Sequence, residues 1–532
     1  MKNISAKFCK EPYLIALTLI LGCFFFRFFF FLFKICPQYI DIDQTLMWYG
    51  TVCFANGNFP EPNFFGQSYG LMLESLGAVP LYFAGIPLYC ALPAATMLLT
   101  FAPFLFLSIK CRKNHPLLAV IILSLYFISS NAVDLLFSVP RALAAGYIFA
   151  VIGAVLVSEG KTPLKIFTGT VSIYIGILAV SPSVLMFIAA MPFAWKNGLF
   201  REKNKWKIFL AGNITGVFLL LSSTFFYILF PDHHIHREPL FPAGIIYFLD
   251  NLHHTGDLLE MLFPVRGILI YAVPVLLAGI LILLWYRKKY IAFAALSGCF
   301  FLILPILFFF SRTNDYIPHS LLFGMHRFYL FLFPLTALIL YLSKDENSPS
   351  HPPKKIWFLL IVLAVLFLTI YKISNFPPAK VPKAASWEFY AQDTLPRLMK
   401  KITICEEQWK KLSPEHGLIV PSSALSYALA AHLYGRTTVF LPNYERKTAD
   451  YYKAQKMDNE RKFLFCFITP QRLFFHQLTL PPGKSLQMFF NEKFYNGLPD
   501  EREMYRKNKN FYDRKNDSVR QMKMRKLGRY DM

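Results

Sequence analysis

The chain reads as a polytopic α-helical membrane protein, and three observations carry that reading. Of its 532 residues 55% are hydrophobic, with 56 Phe among them and a mean hydropathy of +0.40. Apolar runs of about 18–22 residues, enough to cross ~30 Å of hydrocarbon as helix, recur over the first 373 positions. The cations between those runs alternate in density, as they do between the two sides of a membrane.

Taken in order, the runs predict spans at 13–33, 88–109, 117–131, 142–158, 166–180, 182–195, 208–230, 267–286, 291–310, 325–343 and 356–373, about eleven helices. Loops on the side of the N-terminus hold nineteen Lys and Arg, for example Lys110, Arg112 and Lys113 or Arg287, Lys288 and Lys289. Loops on the other side hold six: Lys34, Arg141, Arg237, Arg266, Arg312 and Arg327. The positive-inside rule therefore predicts a cytoplasmic N-terminus and an extracytoplasmic C-terminal region in the inner membrane. Ser181-Pro182 breaks the two weakest runs, and the basic pattern resuming at Arg287 keeps both. The first run is too long for a signal peptide and no small-residue cleavage pattern follows it, so it is read as a helix that stays. Arg27 within it is expected to snorkel toward the outer interface beside Lys34. The formal charge of +23 then belongs to loops facing lipid head groups, and nucleic acid is not a partner. No Walker loop or Rossmann fingerprint occurs, which argues against nucleotide-driven transport and against direct use of a nucleotide sugar.

Residues 36–87 stand apart. They contain Asp41, Asp43, Glu61 and Glu74 and not one Lys or Arg. Asp43 follows the first span closely, where a carboxylate meets the head group of a membrane lipid and can take the proton of an attacking hydroxyl. From Gln44 to Phe54 the apolar residues fall at broadly helical spacing, predicting a short helix in the interface that ends at Asn56-Gly57-Asn58. Gly70 to Ile86 reads as a second interfacial helix.

The series Asp43-Gln44, Gly57-Asn58-Phe59-Pro60, Phe65-Gly66-Gln67-Ser68-Tyr69, Glu74 and Ala78-Val79-Pro80-Leu81-Tyr82-Phe83-Ala84-Gly85 resembles the first extracytoplasmic loop of GT-C glycosyltransferases. The likeness is to the bacterial branch related to protein O-mannosyltransferases and the lipid A aminoarabinose transferase. It implies a GT-C-like fold and an inverting transfer from a polyprenyl-phosphate sugar donor to a lipid, glycan or protein acceptor, with Asp43 as base. That family usually has Asp-Glu where this chain has Asp43-Gln44, so Asp41 is the candidate second acid, or Asp41-Ile42-Asp43 a two-carboxylate cation site. Gln67, Tyr69 and Glu74 are the implied contacts to sugar or acceptor. Arg327 with Tyr329, heading a late span, and Arg141, heading an earlier one, are the implied holders of the donor phosphate. A guanidinium fork suits two phosphate oxygens. On residue types alone Arg327 reads equally as an interfacial anchor, and Arg141 as a salt-bridge partner of Asp134. A lipid or polysaccharide transporter and an envelope scaffold are the competing classes.

The outer loop 231–266 is rich in His and acids but lacks a metal-ligand spacing. The sequence establishes no cofactor, and a divalent cation is the one candidate, with His233 or His253 as weak ligands. Cys36 with Cys53, and Cys405 with Cys466, are the pairs an oxidising compartment would allow to bridge.

Beyond position 373 the composition changes. A Pro-rich linker leads into a region where Leu418-Ile419-Val420, 424–433, Thr437 to Phe440 and Phe463 to Ile468 suggest strand, helix, strand, strand. The expected division is a 1–373 transmembrane catalytic domain, a 374–500 extracytoplasmic α/β domain, and a 501–532 tail with eleven basic residues and no apolar face to pack.

Overall fold

The computed structural model describes residues 12–38, 40, 42–57, 63, 70–140, 144–229, 259, 262–264, 272–286, 288–309, 330–344, 355–375, 395, 416–421, 438–441, 462–468 and 473–479. The chain divides into two compact units, residues 1–406 with 425–435, and 407–424 with 436–532.

The first unit is helical. Its described helices are α1 (Pro12–Phe30), α2 (Ile42–Ala55), α3 (Leu73–Phe83), α4 (Leu88–Cys111), α5 (Pro116–Ser124), α6 (Asn131–Leu136), α7 (Tyr147–Glu159) and α8 (Pro163–Ala179). They continue with α9 (Val184–Lys196), α10 (Lys203–Leu229), α11 (Ala272–Tyr286), α12 (Tyr290–Phe309), α13 (Leu332–Leu342) and α14 (Lys355–Ser374). A helix occupies each apolar run. Among the described residues four stretches, Pro12–Gln38, Leu88–Cys111, Lys203–Phe226 and Lys355–Ser374, are long and apolar enough to cross a membrane. Along α10 Ile214, Val217, Phe218, Leu221 and Phe225 lie on the surface, and along α14 Leu359, Leu360, Leu363, Phe367 and Ile370 do. Such ridges of bare apolar side chains suit hydrocarbon and would be costly in water. The chain is a multi-pass membrane protein.

The bundle packs closely where side chains are small. A Cβ on Gly169 would stand 2.8 Å from the Leu156 Cβ and 2.9 Å from the Gly153 carbonyl oxygen, and one on Gly176 would stand 2.8 Å from the Ala150 Cβ. Helices α7 and α8 thus meet backbone to backbone, the arrangement small residues permit in lipid. Ser181-Pro182 forms the expected break, a single 3-10 turn (Ser181–Ser183) between α8 and α9.

Two expected spans are helical over only part of their length. The run 117–131 is helical only to Ser124 in α5, and 142–158 only from Tyr147 in α7. At 1.5 Å per residue these helices are roughly 14 and 20 Å long, short of the ~30 Å hydrocarbon layer. Between them the chain makes a 3-10 turn (Leu125–Phe127), the six-residue α6 and a turn, and Ser129, Val133, Asp134, Leu135, Leu136, Phe137 and Ser138 are all at most 1% exposed. Thr100, twelve residues into α4, donates its hydroxyl to the Phe137 carbonyl at 3.1 Å, which puts this segment well below the start of α4. Irregular backbone at that depth is stable because protein, not lipid, surrounds it.

The described part of the second unit is a four-stranded sheet in the order β2-β1-β3-β4. β1 (His416–Pro421) pairs in parallel with β2 (Thr438–Leu441), in register Leu418 to Thr438, and with β3 (Lys462–Ile468), in register His416 to Lys462. β4 (Leu473–Thr479), unanticipated from the sequence, closes an antiparallel hairpin on β3. Parallel neighbours need a crossover, which the expected 424–433 helix would supply, but that stretch lies outside the described residues.

Candidate functional site

Side-chain contacts sort the loops of the bundle onto two ends. At one, the Lys110 ammonium meets Glu159 at 3.2 Å and the Tyr341 hydroxyl donates to the same carboxylate at 2.7 Å. Lys344 lies over the Tyr341 ring, 3.4 Å from its centroid, Lys289 donates to the Ser343 carbonyl at 3.4 Å, and Asn197 donates to the Ser158 carbonyl at 2.7 Å. These residues lie in the basic loops or in the helix ends that border them, and this is the basic end. At the other, Cys36 after α1 donates to the Ser138 carbonyl at 3.9 Å, the Ser130 amide to the Leu262 carbonyl at 2.9 Å, and Asn131 to the Asn375 carbonyl at 3.4 Å. This is the first-loop end. The two groups follow the alternation of charge along the sequence.

The first loop begins with a π turn (Phe31–Ile35) and a 3-10 turn (Cys36–Gln38), then folds into α2 and α3. A helix is present over the expected 44–54 as α2, with Asp43 in its first turn. Gly57, at φ +73°, ends the helix in the left-handed region that a residue without Cβ enters freely. α2 and α3 are locked together. The Ser75 hydroxyl donates to the Met47 carbonyl at 2.8 Å, and Thr51 donates to Met47 at 3.0 Å and to the Ser75 carbonyl at 3.3 Å. Gly50 sits at the contact, where a Cβ would meet the Met72 sulfur at 3.0 Å and the Ser75 hydroxyl at 3.2 Å. Gly77 does the same toward α4, 3.2 Å from Leu99 and 3.6 Å from Ala95. The loop is a packed layer tied to a long span. Glu74 lies inside it, 1% exposed at the head of α3.

Of the residues proposed for chemistry, Asp43 is fixed in backbone position and Glu74 in full. Asp41, Gln67, Tyr69, Arg141, His233, His253, Arg327 and Tyr329 lie outside the described residues. No group of three or more His, Cys, Asp or Glu with metal-holding geometry occurs among the described residues. Cys36 carries a free thiol, so the Cys36–Cys53 bridge does not form. Cys405 is outside the described residues.

Deeper at the same end is a cluster the sequence did not announce. Arg27 does not snorkel: it is 3% exposed and its Nη2 is 2.6 Å from Asp134 Oδ1. Lys372 of α14, also 3% exposed, reaches Asp134 Oδ2 at 3.1 Å and Oδ1 at 3.3 Å, and Ser129 donates its hydroxyl to Oδ1. Asp134, read from sequence as a partner for Arg141, is therefore taken by Arg27 and Lys372. The guanidinium carbon lies 4.8 Å from the Tyr126 ring centroid and 5.3 Å from that of Phe31, so its faces rest on aromatics while its edge meets the carboxylate. Tyr126 itself packs against Phe24, Phe101, Phe104 and Phe137. The count is one carboxylate to two cations. The available signal was thin: Arg27 and Lys372 each interrupt an apolar run, and Asp134 is the sole acid between Glu74 and Glu159.

No family model matches the chain, and no curated protein does. Among solved structures, the crystal structure of ArnT from Cupriavidus metallidurans in the apo state aligns with a TM-score of 0.46 and 12% identity over 85% of this chain and 92% of that one. At that score and identity the likeness assigns no residue and no activity.

Proposed function

We propose that the chain is an inverting glycosyltransferase that moves a sugar from a polyprenyl-phosphate donor to a lipid, glycan or protein acceptor at the outer face of the cytoplasmic membrane. The observation that carries it is the first loop. An all-acidic segment of GT-C pattern folds as two interlocked helices fastened to a long span, with Asp43 in the first turn of one and Glu74 buried at the head of the other.

In the proposed reaction the Asp43 carboxylate takes the proton from an acceptor hydroxyl or amine as that atom bonds to the anomeric carbon. The bond from that carbon to the phosphate oxygen breaks, and polyprenyl phosphate leaves with the electron pair. Attack opposite the leaving group inverts the centre. Arg327, with Tyr329 beside it, and Arg141 would hold the leaving phosphate, while Gln67, Tyr69 and Glu74 would seat sugar and acceptor, with Asp41 as a second acid. The basic end would face the cytoplasm. Trp195, Trp206, Trp285 and Trp357 are exposed within a few residues of its lysines and arginines, as aromatics at a head-group boundary are. Residues 374–500 would then form an extracytoplasmic α/β domain and 501–532 a basic tail, both near anionic head groups.

Transport of a lipid or polysaccharide is the second reading, and one observation favours it: Arg27, Asp134 and Lys372 put three ionisable groups inside the bundle. They are spent on one another, which suits a structural role better than a path.

The test is reconstitution of purified protein with radiolabelled polyprenyl-phosphate sugars and crude envelope acceptors. Wild type should form labelled product and Asp43→Asn should lose at least about a hundredfold in rate, the scale of general-base catalysis. Equal product from both removes Asp43 as base. Label crossing the bilayer without transfer replaces the enzyme with a transporter.

A further inference from the structure

We propose that α6, clamped through Asp134 by Arg27 and Lys372, is a positioning element that sets where the first loop stands, and with it Asp43. The inference rests on the transferase reading only for its kinetic consequence.

A six-residue helix has no stability of its own, since nucleation alone outweighs so few hydrogen bonds. What holds this one is its surroundings. Ser130 caps it, accepting from the Val133 amide at 3.2 Å, and Asp134 in its middle is held on both oxygens. Around it the other parts of the first-loop end are pinned. Phe137, just past α6, takes the Thr100 hydroxyl from α4; Ser130 donates its amide to Leu262; and Asn131 reaches Asn375 at the end of α14. Ser138 is the link to the candidate site. Its hydroxyl donates to the Asp134 carbonyl at 2.7 Å, and its own carbonyl accepts from Cys36, seven residues before Asp43.

The charges explain why α6 takes one position. Apolar packing tolerates a small slide, but an ion pair in a low-dielectric interior loses its compensation as soon as the partners separate. Two cations, one from α1 and one from α14, converge on a single carboxylate and fix α6 against both. With both oxygens held, Asp134 is not placed to act as a base. Its effect on chemistry runs through Ser138 and Cys36 to the loop.

The test uses the full-length protein in detergent and compares wild type with Lys372→Met, Lys372→Arg and Ser138→Ala. One readout is the rate at which N-ethylmaleimide labels Cys36, followed by mass spectrometry with half-buried Cys90 as internal standard. The other is sugar transfer from the donor active in wild type. Cys36 is 3% exposed and should label slowly in wild type. Lys372→Met keeps the Arg27 pair and should fold, with Cys36 labelling about tenfold faster and kcat lower by about tenfold at nearly unchanged donor KM, the pattern of misplaced reacting groups. Lys372→Arg should return both values to within about twofold of wild type, because it restores the ionic contact. Ser138→Ala keeps every charge and cuts one hydrogen bond, so labelling should rise by about two- to threefold. Cys36 as protected in folded Lys372→Met and Ser138→Ala as in wild type overturns the proposal, as does failure of Lys372→Arg to rescue. Should wild type transfer no sugar from any donor, the transferase reading falls, and the labelling rates still decide whether α6 positions the loop.

Discussion

Each end of the bundle gathers cations and a hydroxyl about one carboxylate, Asp134 at the first-loop end and Glu159 at the basic end. The chemistry is nearly the same and the surroundings differ. The Asp134 side chain is 0% exposed and its partners Arg27 and Lys372 are each 4% exposed, whereas Glu159 is 17% and Lys110 35% exposed. Water near Glu159 can replace a lost partner. Around Asp134 it cannot, so the same contact there decides whether the fold forms in one way.

The largest expected effect follows directly. Asp134→Ala strands two buried cations and should cost about 3–5 kcal/mol, the range for breaking a buried pair from one side. It is read as loss of folded protein in thermal or denaturant unfolding in detergent. An unfolding midpoint equal to wild type would mean that water or lipid phosphate reaches the cluster. The sharper companion is Arg27→Met with Asp134→Leu and Lys372→Met. An apolar replacement of similar volume removes desolvation and attraction together, so this triple variant should recover most of the stability lost in Asp134→Ala. It should remain poor in transfer, because the cluster's work is in placement.

The contrast also shows what was legible before the fold was known. The basic end was readable, because its lysines sit in loops where charge density alone gives the side, and Lys110, Asn197, Lys289 and Lys344 do share one end. The helix over 44–54 was readable from local apolar spacing, and so were three of the four described strands. The Arg27 cluster was not. Its members lie 107 and 238 positions apart along the chain, and a cation in an apolar run is expected to snorkel unless a partner is known. Here the partner sits in the segment between the expected spans 117–131 and 142–158, where it read as a loop acid facing Arg141. The early end of α5 at Ser124 left no local signal beyond Ser129-Ser130-Asn131, a capping pattern inside an apolar run. β4 was not read either, although Leu473-Phe474-Phe475 favours a strand, and its place is set by pairing with β3.

A smaller effect is expected from Glu159→Gln. The amide keeps an oxygen for the Tyr341 hydroxyl and loses the ionic contact to Lys110, so the cost should stay at or below about 1 kcal/mol, as for half-exposed pairs. Unfolding in detergent should show a midpoint close to wild type. A loss comparable with that of Asp134→Ala would place Glu159 in an environment as dry as Asp134's and erase the difference between the ends.

The smallest effect, from Lys110→Met, tests the solvent argument through salt. Lys110 attracts Glu159 at 3.2 Å, yet it also shares its end with Arg112, Lys113 and Lys344, and Lys344 acts electrostatically on both Glu159 and Cys111. Removing Lys110 therefore loses one attraction and relieves several repulsions. The repulsions act over longer distances and fade first as the Debye length falls from about 30 Å at 0.01 M to about 10 Å at 0.1 M salt. At low ionic strength the two should nearly cancel, and the variant should unfold close to wild type. As salt rises only the short contact is left, and the variant should become less stable than wild type by a few tenths of a kcal/mol, the worth of an exposed pair. Asp134→Ala, measured in the same series, should show a loss that salt leaves unchanged, because no counterion reaches that cluster. Equal salt dependence in the two variants would put both carboxylates in the same medium.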